Sequence, residues 1–586
     1  MKFLFSYLRK SYGIMAAILA VKFSGSMVEL LIPYVLEHLI DNVAPTKSLP
    51  AVLFWGGVML LLAIACRMLN VWANRHTVGV ARQTAYEIRR DLFCRSISLS
   101  GSQMDAFGLP SLTSRMTSDS YNVQNFIRSM LAVGIRAPVL LFGGILVTLT
   151  MDPGLAAILC ILAPAVLAAV VFVSVKGIPL FEQVQHSLDG VVRIMRENIT
   201  GIRVVKALSK ERFETDRFRA ANGDLTRRER KAGFIMSLPG PIMSFFLNMG
   251  LTLVVVVGAV RVNNGQIKPG VVLAFLTYFN MILNGAMGLN RIFMMMSKAN
   301  ASANRIAAVV GAPDVLAPIP ERDAAQPQGE GYIRFEHVSF RYGDGDTEDA
   351  GDKFAGGRRE NSLTDIDFSI AKGGSLGIIG ATGSGKTTII NLLMRFYDTT
   401  QGHVFVDGKD VRTYDRDTLH RLFGTVFQND VIFADTVAEN ISFGRDVDED
   451  GIRAAARDAC AAEFLESYDD AYEHKAEIRG ANFSGGQRQR ILIARALAGN
   501  ARILVLDDSS SALDYRTDAA IRRAIREHHG DTTMIVIAQR VSSIRNLDNI
   551  LVLDEGRVIG CGSHDSLMES CPAYRDICRV QMGQEV

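Results

Sequence analysis

The residues that most clearly could do chemistry form a glycine-rich segment, GATGSGKTT, at positions 380–388. An apolar segment, SLGIIG, leads into it and a helical pattern, TTIINLLMRF, follows the lysine. The spacing matches GxxxxGK[ST], in which backbone N–H groups at a strand-to-helix turn wrap a polyphosphate. The segment therefore predicts a nucleotide site made by Gly380, Ala381, Thr382, Gly383, Ser384, Gly385, Lys386, Thr387 and Thr388.

The residues of this segment have different predicted roles in binding the nucleotide. Gly383 and Gly385 permit close approach of the backbone, Lys386 reaches the outer phosphates, and the Thr387 hydroxyl is a ligand for Mg²⁺. An acidic candidate for the metal site lies outside this segment. Asp507 follows the apolar residues of ILVLDD and is placed to hold the metal through water. The next residue, Asp508, is placed to act on a water molecule, so its short side chain has to be explained.

Further motifs follow in order along the same half of the chain. Gln428 ends a strand-like segment in TVFQND, SALD occupies 511–514, and Gln539 ends the last apolar segment, MIVIAQR. In the segment NFSGGQRQR, a second helix N-terminus of the kind that binds phosphate, separate from the first, is predicted at Ser484, Gly485, Gly486 and Gln487. Each motif is weak alone, but their order is specific.

The elements that must position these residues belong to two different kinds of domain. Strand and helix patterns alternate in residues 331–586, which predicts a soluble α/β domain. A linker, residues 311–330, joins this domain to an apolar region, residues 1–310. That region predicts a polytopic helical membrane domain, because six segments reach the roughly 20 apolar residues of a span. These segments are about 12–40, 51–74, 129–151, 154–176, 235–262 and 270–296.

Charge predicts the orientation of these spans. The long connections 75–128 and 177–234 are rich in arginine and lysine, whereas the short ones carry little beyond Lys47 and Lys268. Positive charge marks the cytoplasmic side, so both termini, both long connections and the soluble domain are expected there, in a protein of the cytoplasmic membrane. The basic N-terminus is not interpreted as a signal peptide, because its apolar stretch is too long and more spans follow. The net charge of +2 excludes neither a membrane nor a nucleic-acid partner.

Charged residues within the first two spans need partners, because a charge in hydrocarbon is costly. Lys22 and Glu29 lie on one face of the first span, and Arg67 in the second could pair with Glu29. Structural pairing is one interpretation, and a cavity that faces cargo is the other.

With these motifs in place, the chain resembles the exporters of the ATP-binding cassette (ABC) family over nearly its whole length. By this resemblance GATGSGKTT is similar to Walker A, Gln428 to the Q-loop, FSGGQ to the signature, Asp507 to the Walker B acid, and Tyr342 to the aromatic residue that stacks on adenine. The metal-binding residues would be Thr387, Gln428 and Asp507. The resemblance implies a type I exporter fold with a P-loop NTPase cassette, the cofactors ATP and Mg²⁺, and two chains that sandwich each ATP between Walker A and the other chain's signature.

The resemblance also implies segments that dock on the cassettes, and MDAFG (104–108) and the stretch NITGIRVV are similar to these coupling helices. The chain departs from the family's usual pattern at Ile478, where many exporters have glutamate. It departs again in the long connection 343–361, whose composition is typical of a disordered loop.

Two departures fall on catalytic positions. Family members that hydrolyse ATP well have glutamate where this chain has Asp508, whose carboxylate falls about 1.5 Å short. They also have histidine where this chain has Gln539, which cannot carry a positive charge near neutral pH. Of the predicted catalytic residues Asp508, Gln539 and Gln428, the first two are weakened and would give slow hydrolysis, whereas Gln428 and the binding residues are intact.

This asymmetry favours a heterodimer in which the signature of this chain completes a competent site on a second half-transporter. A slow homodimer and a regulator gated by ATP that moves no cargo remain alternatives. The expected cargo is a small amphiphilic or drug-like molecule, although lipid, peptide and siderophore fit as well. Membrane lipid is the expected surroundings, and no nucleic-acid partner is expected.

Overall fold

The chain folds into two compact units, and the computed structural model describes residues 2–343 and 361–582. One unit comprises Met1–Ile97 and Pro110–Ala312, and the other comprises Ser98–Leu109 and Pro313–Val586. The main division thus falls within the segment 311–330 that was predicted to be a linker. The short segment Ser98–Leu109 belongs to the second unit although it lies early in the chain.

The first unit is entirely helical where it is described. A helix of 49 residues, Leu49–Ile97, is about 74 Å long at the usual rise per residue, so it extends well beyond a bilayer's apolar core. The other helices of ten or more residues are Tyr12–His38, Ser120–Val133, Pro153–Thr200, Glu211–Ser237, Pro239–Asn263 and Pro269–Val310. The shorter ones are Lys2–Leu8, Leu109–Ser114, Arg136–Pro138, Gly144–Met151 and Ile202–Ala207, with π turns at Leu39–Val43, Arg115–Asp119 and Val139–Gly143.

Within the described residues, five helical stretches are long and apolar enough to cross a membrane. They are Phe3–Thr46, Leu49–Ile97, Leu109–Met151, Glu211–Asn263 and Pro269–Val310. The remaining predicted span, 154–176, lies in the helix Pro153–Thr200, where several side chains are outside the described part; Pro153–Leu162 is a shorter apolar helix there.

The charged residues of the first span have other partners than the sequence indicated. The predicted pairing of Glu29 with Arg67 is wrong, because Glu29 accepts hydrogen bonds from Arg136 Nε at 3.1 Å and Nη2 at 2.8 Å. Lys22 is 3% exposed, and its Nζ donates to Asn70 Oδ1 at 3.0 Å and to the Oδ1 of Asn74 at 2.8 Å. The sequence did not indicate these partners, because Arg136 and the two asparagines lie far from the first span in sequence.

The described residues of the second unit form two sheets. A four-stranded antiparallel sheet has the order Leu363–Ile370, Ile333–Phe340, Gln401–Val406 and Lys409–Asp410. A six-stranded sheet has the order Arg557–Gly562, Asn549–Asp554, Ser375–Gly380, Thr533–Ile537, Ile503–Asp507 and Phe423–Val426. Only its first strand pairs antiparallel, so five strands run in one direction and their carboxyl ends meet at one edge.

Helices and loops cover the six-stranded sheet on both faces. The helices of the second unit are Gly101–Phe107, Lys386–Leu393, Arg416–His420, Val437–Ser442, Glu449–Asp458, Ala462–Leu465, Gly485–Leu497, Tyr515–His528, Val541–Ile544, His564–Ser570 and Pro572–Met582. The strand Ile503–Asp507 is buried at every position, as a parallel strand covered on both faces requires. Most of the connection 343–361 lies outside the described residues.

Candidate functional site

The glycine-rich segment 380–385 forms the turn between a buried strand and a helix. The strand Ser375–Gly380 ends at this turn, and the helix Lys386–Leu393 begins directly after Gly385. Gly383 and Gly385 have left-handed φ angles of 87° and 94°, which glycine adopts without steric cost. A side chain at 385 would also meet the Ser362 carbonyl oxygen at 2.8 Å. The geometry therefore requires glycine there.

Lys386 folds back over this turn. Its Nζ donates to the carbonyl oxygens of Gly380 at 2.9 Å and Ala381 at 2.7 Å. Burial lowers the pKa of Lys386, and the nearby carboxylates of Asp507 and Asp508 oppose that shift. The ammonium is thus held at the mouth of the turn by two neutral acceptors, which an anionic ligand can replace.

Thr387 and Asp507 form the part of the site that fits a divalent cation. The Thr387 hydroxyl donates to Asp507 Oδ2 at 3.0 Å, and Asp507 is 2% exposed. Burial raises the pKa of Asp507, an effect that this hydrogen bond opposes. The neighbouring Ser384 Oγ is buried and has no hydrogen-bond partner among the described residues. One carboxylate, one hydroxyl and ligand phosphates are a typical Mg²⁺ environment.

Asp508 has a backbone and side-chain geometry of its own. Its φ angle is 51°, and its backbone N–H donates to the Ile537 carbonyl oxygen at 2.9 Å. Its Oδ2 accepts from Gln539 Nε2 at 3.1 Å and lies 3.5 Å from the Nε2 of Gln428. The two predicted catalytic glutamines therefore both approach Asp508, and their amides share one carboxylate oxygen.

The C-terminal helix reaches this site through Gln581, which sequence reasoning missed. Gln581 Nε2 donates to the Gln539 carbonyl oxygen at 2.7 Å, and its Oε1 accepts from the Val541 backbone N–H at 2.8 Å. The side chain thus spans the turn that follows strand Thr533–Ile537. No motif in the sequence marks this residue.

Tyr342 lies at the other end of the site. It contacts Tyr397, which in turn binds the segment Ser98–Leu109. Its hydroxyl lies 3.2 Å from Thr388 Oγ1, and its ring packs edge-on against Tyr397 with a centroid distance of 5.2 Å. Tyr397 in turn donates to Asp105 Oδ2 at 2.7 Å, and the Gly101 N–H donates to the Phe396 carbonyl oxygen at 3.0 Å. The predicted docking of 104–108 on the cassette is confirmed.

The signature residues form a separate helix start. Ser484 caps the helix Gly485–Leu497: its hydroxyl accepts from the Gln487 N–H at 3.3 Å, and its own N–H donates to Gln487 Oε1 at 2.8 Å. Ser484 and Gly485 are exposed, and Gly486 packs near Ala512 of the SALD segment. Among the described residues that line the nucleotide cavity, none comes from 484–487.

Most of the remaining predicted residues converge on one cavity of about 310 Å³, whereas Gly380, Ala381 and Ser384 are not among its lining residues. Beside two residues that the motifs did not mark, Ser362 and Ile537, its lining consists of Tyr342, Thr382, Gly383, Gly385, Lys386, Thr387, Thr388, Gln428, Asp507, Asp508 and Gln539. The parallel strands explain this convergence, because Gly380, Asp507 and Gln539 lie at or just after the carboxyl ends of adjacent strands.

Comparison with known proteins identifies both units. The ABC transporter transmembrane region matches residues 15–287, and the ABC transporter domain matches residues 363–511. The chain is 31% identical over 584 residues to an uncharacterized ABC transporter ATP-binding protein of Mycobacterium tuberculosis, covering 98% of this chain and 97% of the relative. It is 32% identical over 581 residues to another from Bacillus subtilis, covering 98% of each chain.

A solved structure of a bacterial Atm1-family ABC exporter with ATP bound has the same fold. The TM-score is 0.78 at 21% identity, over 99% of each chain. The predicted fold class, a helical membrane domain joined to an α/β P-loop cassette, is confirmed. With two domain matches and relatives aligned from end to end, this chain belongs to the ABC transporter family and has the type I exporter fold.

Proposed function

We propose that this protein is one half of a heterodimeric exporter in the cytoplasmic membrane, whose own nucleotide site binds ATP and hydrolyses it slowly. Its Ser484–Gln487 signature would complete a competent site on a second half-transporter. The cargo would be a small amphiphilic molecule. The cassette and both termini would lie in the cytoplasm.

One observation carries this proposal: the carboxylate of Asp508 is short and is already bonded to the Gln539 amide at 3.1 Å. A general base must reach the water that it activates, and an error of about 1 Å can cost on the order of 100-fold in rate. Gln539 supplies an amide dipole but no positive charge for the transferred phosphoryl group. Both weaknesses affect the chemical step.

The arrangement of the binding residues, by contrast, supports ATP binding. The backbone N–H groups of 383–387 would bind the β- and γ-phosphates, the ammonium of Lys386 would neutralise them, and Tyr342 would stack on the base. Thr387 and Asp507, with Gln428, would hold Mg²⁺, which supplies charge neutralisation on the phosphates. A site that binds well and reacts slowly stays closed for longer.

The mechanism that follows is alternating access. Two cassettes close on ATP, and segment Ser98–Leu109, bonded to Tyr397, carries this motion toward the spans. Hydrolysis at the second subunit's site then resets the dimer. The exposed signature of this chain supports that division, since a helix start that faces away from its own cavity is available to another subunit.

The test uses the dimer as it occurs in the native cells. The tagged full-length chain is purified with whatever half-transporter accompanies it, and single-turnover ATP hydrolysis is measured. Replacing the second subunit's catalytic glutamate by glutamine should abolish turnover, whereas Asp508→Asn should change it by less than about two-fold. Brisk, saturable hydrolysis by this chain alone would overturn the proposal, as would loss of activity in Asp508→Asn with the other variant active.

A further inference from the structure

A second cavity, of about 280 Å³, lies in the membrane unit between three of its helices. Its lining comes from helices Leu49–Ile97, Ser120–Val133 and Pro269–Val310 and consists of Asn74, Thr77, Val78, Arg128, Ser129, Ala132, Val133 and Arg291. In the predicted topology these positions cluster at the cytoplasmic ends of spans 51–74, 129–151 and 270–296. The cavity therefore lies where cargo would enter from the cytoplasm.

Two arginines give this cavity its charge. Arg128 and Arg291 both line it, and among the residues that the structure describes neither has an ion-pair or hydrogen-bond partner. No aspartate or glutamate is among the described lining residues. Other arginines of the same unit are neutralised, as Arg136 is by Glu29 and Arg305 is by Asp119. The guanidinium groups of two exposed arginines thus border the cavity, and no described lining residue compensates their charge.

Thr77 supplies an independent observation that points to a ligand. Its side chain is fully buried, and its Oγ1 has no hydrogen-bond partner in the described structure. Threonine in a helix usually bonds the carbonyl four residues earlier, as Thr84 does to Val80 at 3.0 Å in the same helix. Leaving a buried hydroxyl unsatisfied is costly, so a group that bonds Thr77 would stabilise the site.

Asn74 adds a further donor. Its Oδ1 already accepts from the buried Lys22 ammonium at 2.8 Å, so its amide NH₂ is the group left for a ligand. Lys22 also brings a third positive charge to the neighbourhood of the cavity. Arginine, asparagine, serine and threonine together form a set of donors with few acceptors, which is the chemistry that carboxylate and phosphate oxygens need.

From this arrangement we propose that the cavity is a cargo subsite for the anionic headgroup, carboxylate or phosphate, of an amphiphilic molecule. Val78, Ala132 and Val133 form an apolar wall for the adjoining chain. A volume of about 280 Å³ is at the lower end for ligand pockets and suits a headgroup with a short apolar segment. This inference rests on the proposed function, because it names the cargo class of that exporter.

The test measures binding of two probes that differ only in charge. The full-length protein is placed in nanodiscs of phosphatidylcholine, without ATP, and titrated with 1-pyrenebutyrate or with its neutral counterpart, 1-pyrenebutanol. Energy transfer from tryptophan reports binding, since the chain has two tryptophans and Trp72 lies two residues before the lining residue Asn74 in the same helix. We expect the anionic probe to bind more tightly, by about ten-fold or more.

The variants locate the binding site. Arg128→Gln and Arg291→Gln should each raise the Kd for pyrenebutyrate about ten-fold and leave that for pyrenebutanol within about two-fold. Arg128→Lys should retain part of the affinity, because it keeps the charge and loses the planar fork. Arg75→Gln is the matched control: Arg75 lies next to Asn74 in the same helix but does not line the cavity, so pyrenebutyrate binding should be unchanged.

A second arm distinguishes the source of the anion. If phosphatidylglycerol added to the nanodiscs competes with pyrenebutyrate, the natural ligand of this subsite is an anionic lipid; if it does not, the ligand is a soluble amphiphile. Equal binding of the two probes would overturn the proposal. So would dissociation of the dimer in Arg128→Gln and Arg291→Gln, which would assign the arginines to the subunit interface.

Failure of this inference is separable from failure of the proposed function. ATP binding by the same variants is measured in parallel and should be unchanged. Charge-independent probe binding with intact ATP binding would remove only the subsite. Charge-selective probe binding in a protein that binds no ATP would overturn the exporter function and with it the cargo role, and would leave only an anion-binding cavity.

Discussion

Lengthening the acid at position 508 is the most direct perturbation of the proposed slow site. Asp508→Glu adds one methylene, which extends the carboxylate by about 1.5 Å. The residues that bind phosphate and metal stay in place, because none of Lys386, Thr387 and Asp507 is altered. The variant therefore separates the chemical step from binding.

The expected size of the effect follows from position 508 itself. A positional error of about 1 Å can cost on the order of 100-fold, but Gln539 still lacks a positive charge, so we expect a gain of about 10- to 100-fold. The backbone of residue 508 has a φ angle of 51°, which costs the glutamate variant a little folding stability. Aspartate tolerates left-handed backbone better than glutamate, so the variant should lose less than about 1 kcal/mol of stability.

The assay is single-turnover ATP hydrolysis by the copurified dimer in nanodiscs, with protein in excess over ATP and with the second subunit's catalytic glutamate replaced by glutamine. ATP affinity is measured separately and should change by less than about two-fold. Asp508→Asn keeps the shape of the side chain without its charge and should leave the slow rate nearly unchanged. Asp531→Glu, the same lengthening at an exposed surface position, controls for effects of an added methylene.

Two results would refute this reasoning. If Asp508→Glu binds ATP normally and hydrolyses it at the wild-type rate, the length of the acid does not limit the reaction. If the wild-type chain hydrolyses ATP rapidly and Asp508→Asn abolishes that rate, the short carboxylate is already a competent base.

Three further predictions concern contacts outside the phosphate site. Tyr397→Phe removes the 2.7 Å bond to Asp105 and should weaken that docking by about 1 kcal/mol, lowering transport per ATP while basal hydrolysis persists; an unchanged ratio would contradict the coupling role. Gln581→Ala removes both bonds to the 539–541 turn and should speed amide hydrogen exchange there, with exchange in strand Ile503–Asp507 as the unaffected reference. Arg136→Gln leaves Glu29 unpaired and should destabilise the membrane unit by about 2 kcal/mol in thermal unfolding, and adding Glu29→Gln should restore part of the loss.

The sequence predicted most of the nucleotide site because its motifs are local. Gly383, Lys386 and Thr387 lie within one turn and need only the strand before and the helix after them. Asp507 and Gln539 could be placed nearby because both follow apolar segments, and parallel strands end at a common edge.

Contacts between distant segments could not be predicted in the same way. Gln581 carries no motif, and its role depends on where the C-terminal helix packs. Glu29 was assigned to Arg67 because adjacent spans are usually neighbours, whereas Arg136 comes from a later helix. The cavity at Arg128 and Arg291 likewise joins three helices whose relative rotation no periodicity in a single sequence fixes.

The segment Ser98–Leu109 also bears on how the protein is made. Its Asp105 is separated from Tyr397 by 292 positions, so the ribosome must add nearly half of the polypeptide before that bond can form. At about 5–20 residues per second the delay is about 15–60 s. During this interval the segment waits without its acceptor surface, and the cassette cannot complete its final contacts by itself. Folding of the second unit therefore depends on a helical segment that is synthesised early. The cassette, which is synthesised last, completes its contacts only against that segment.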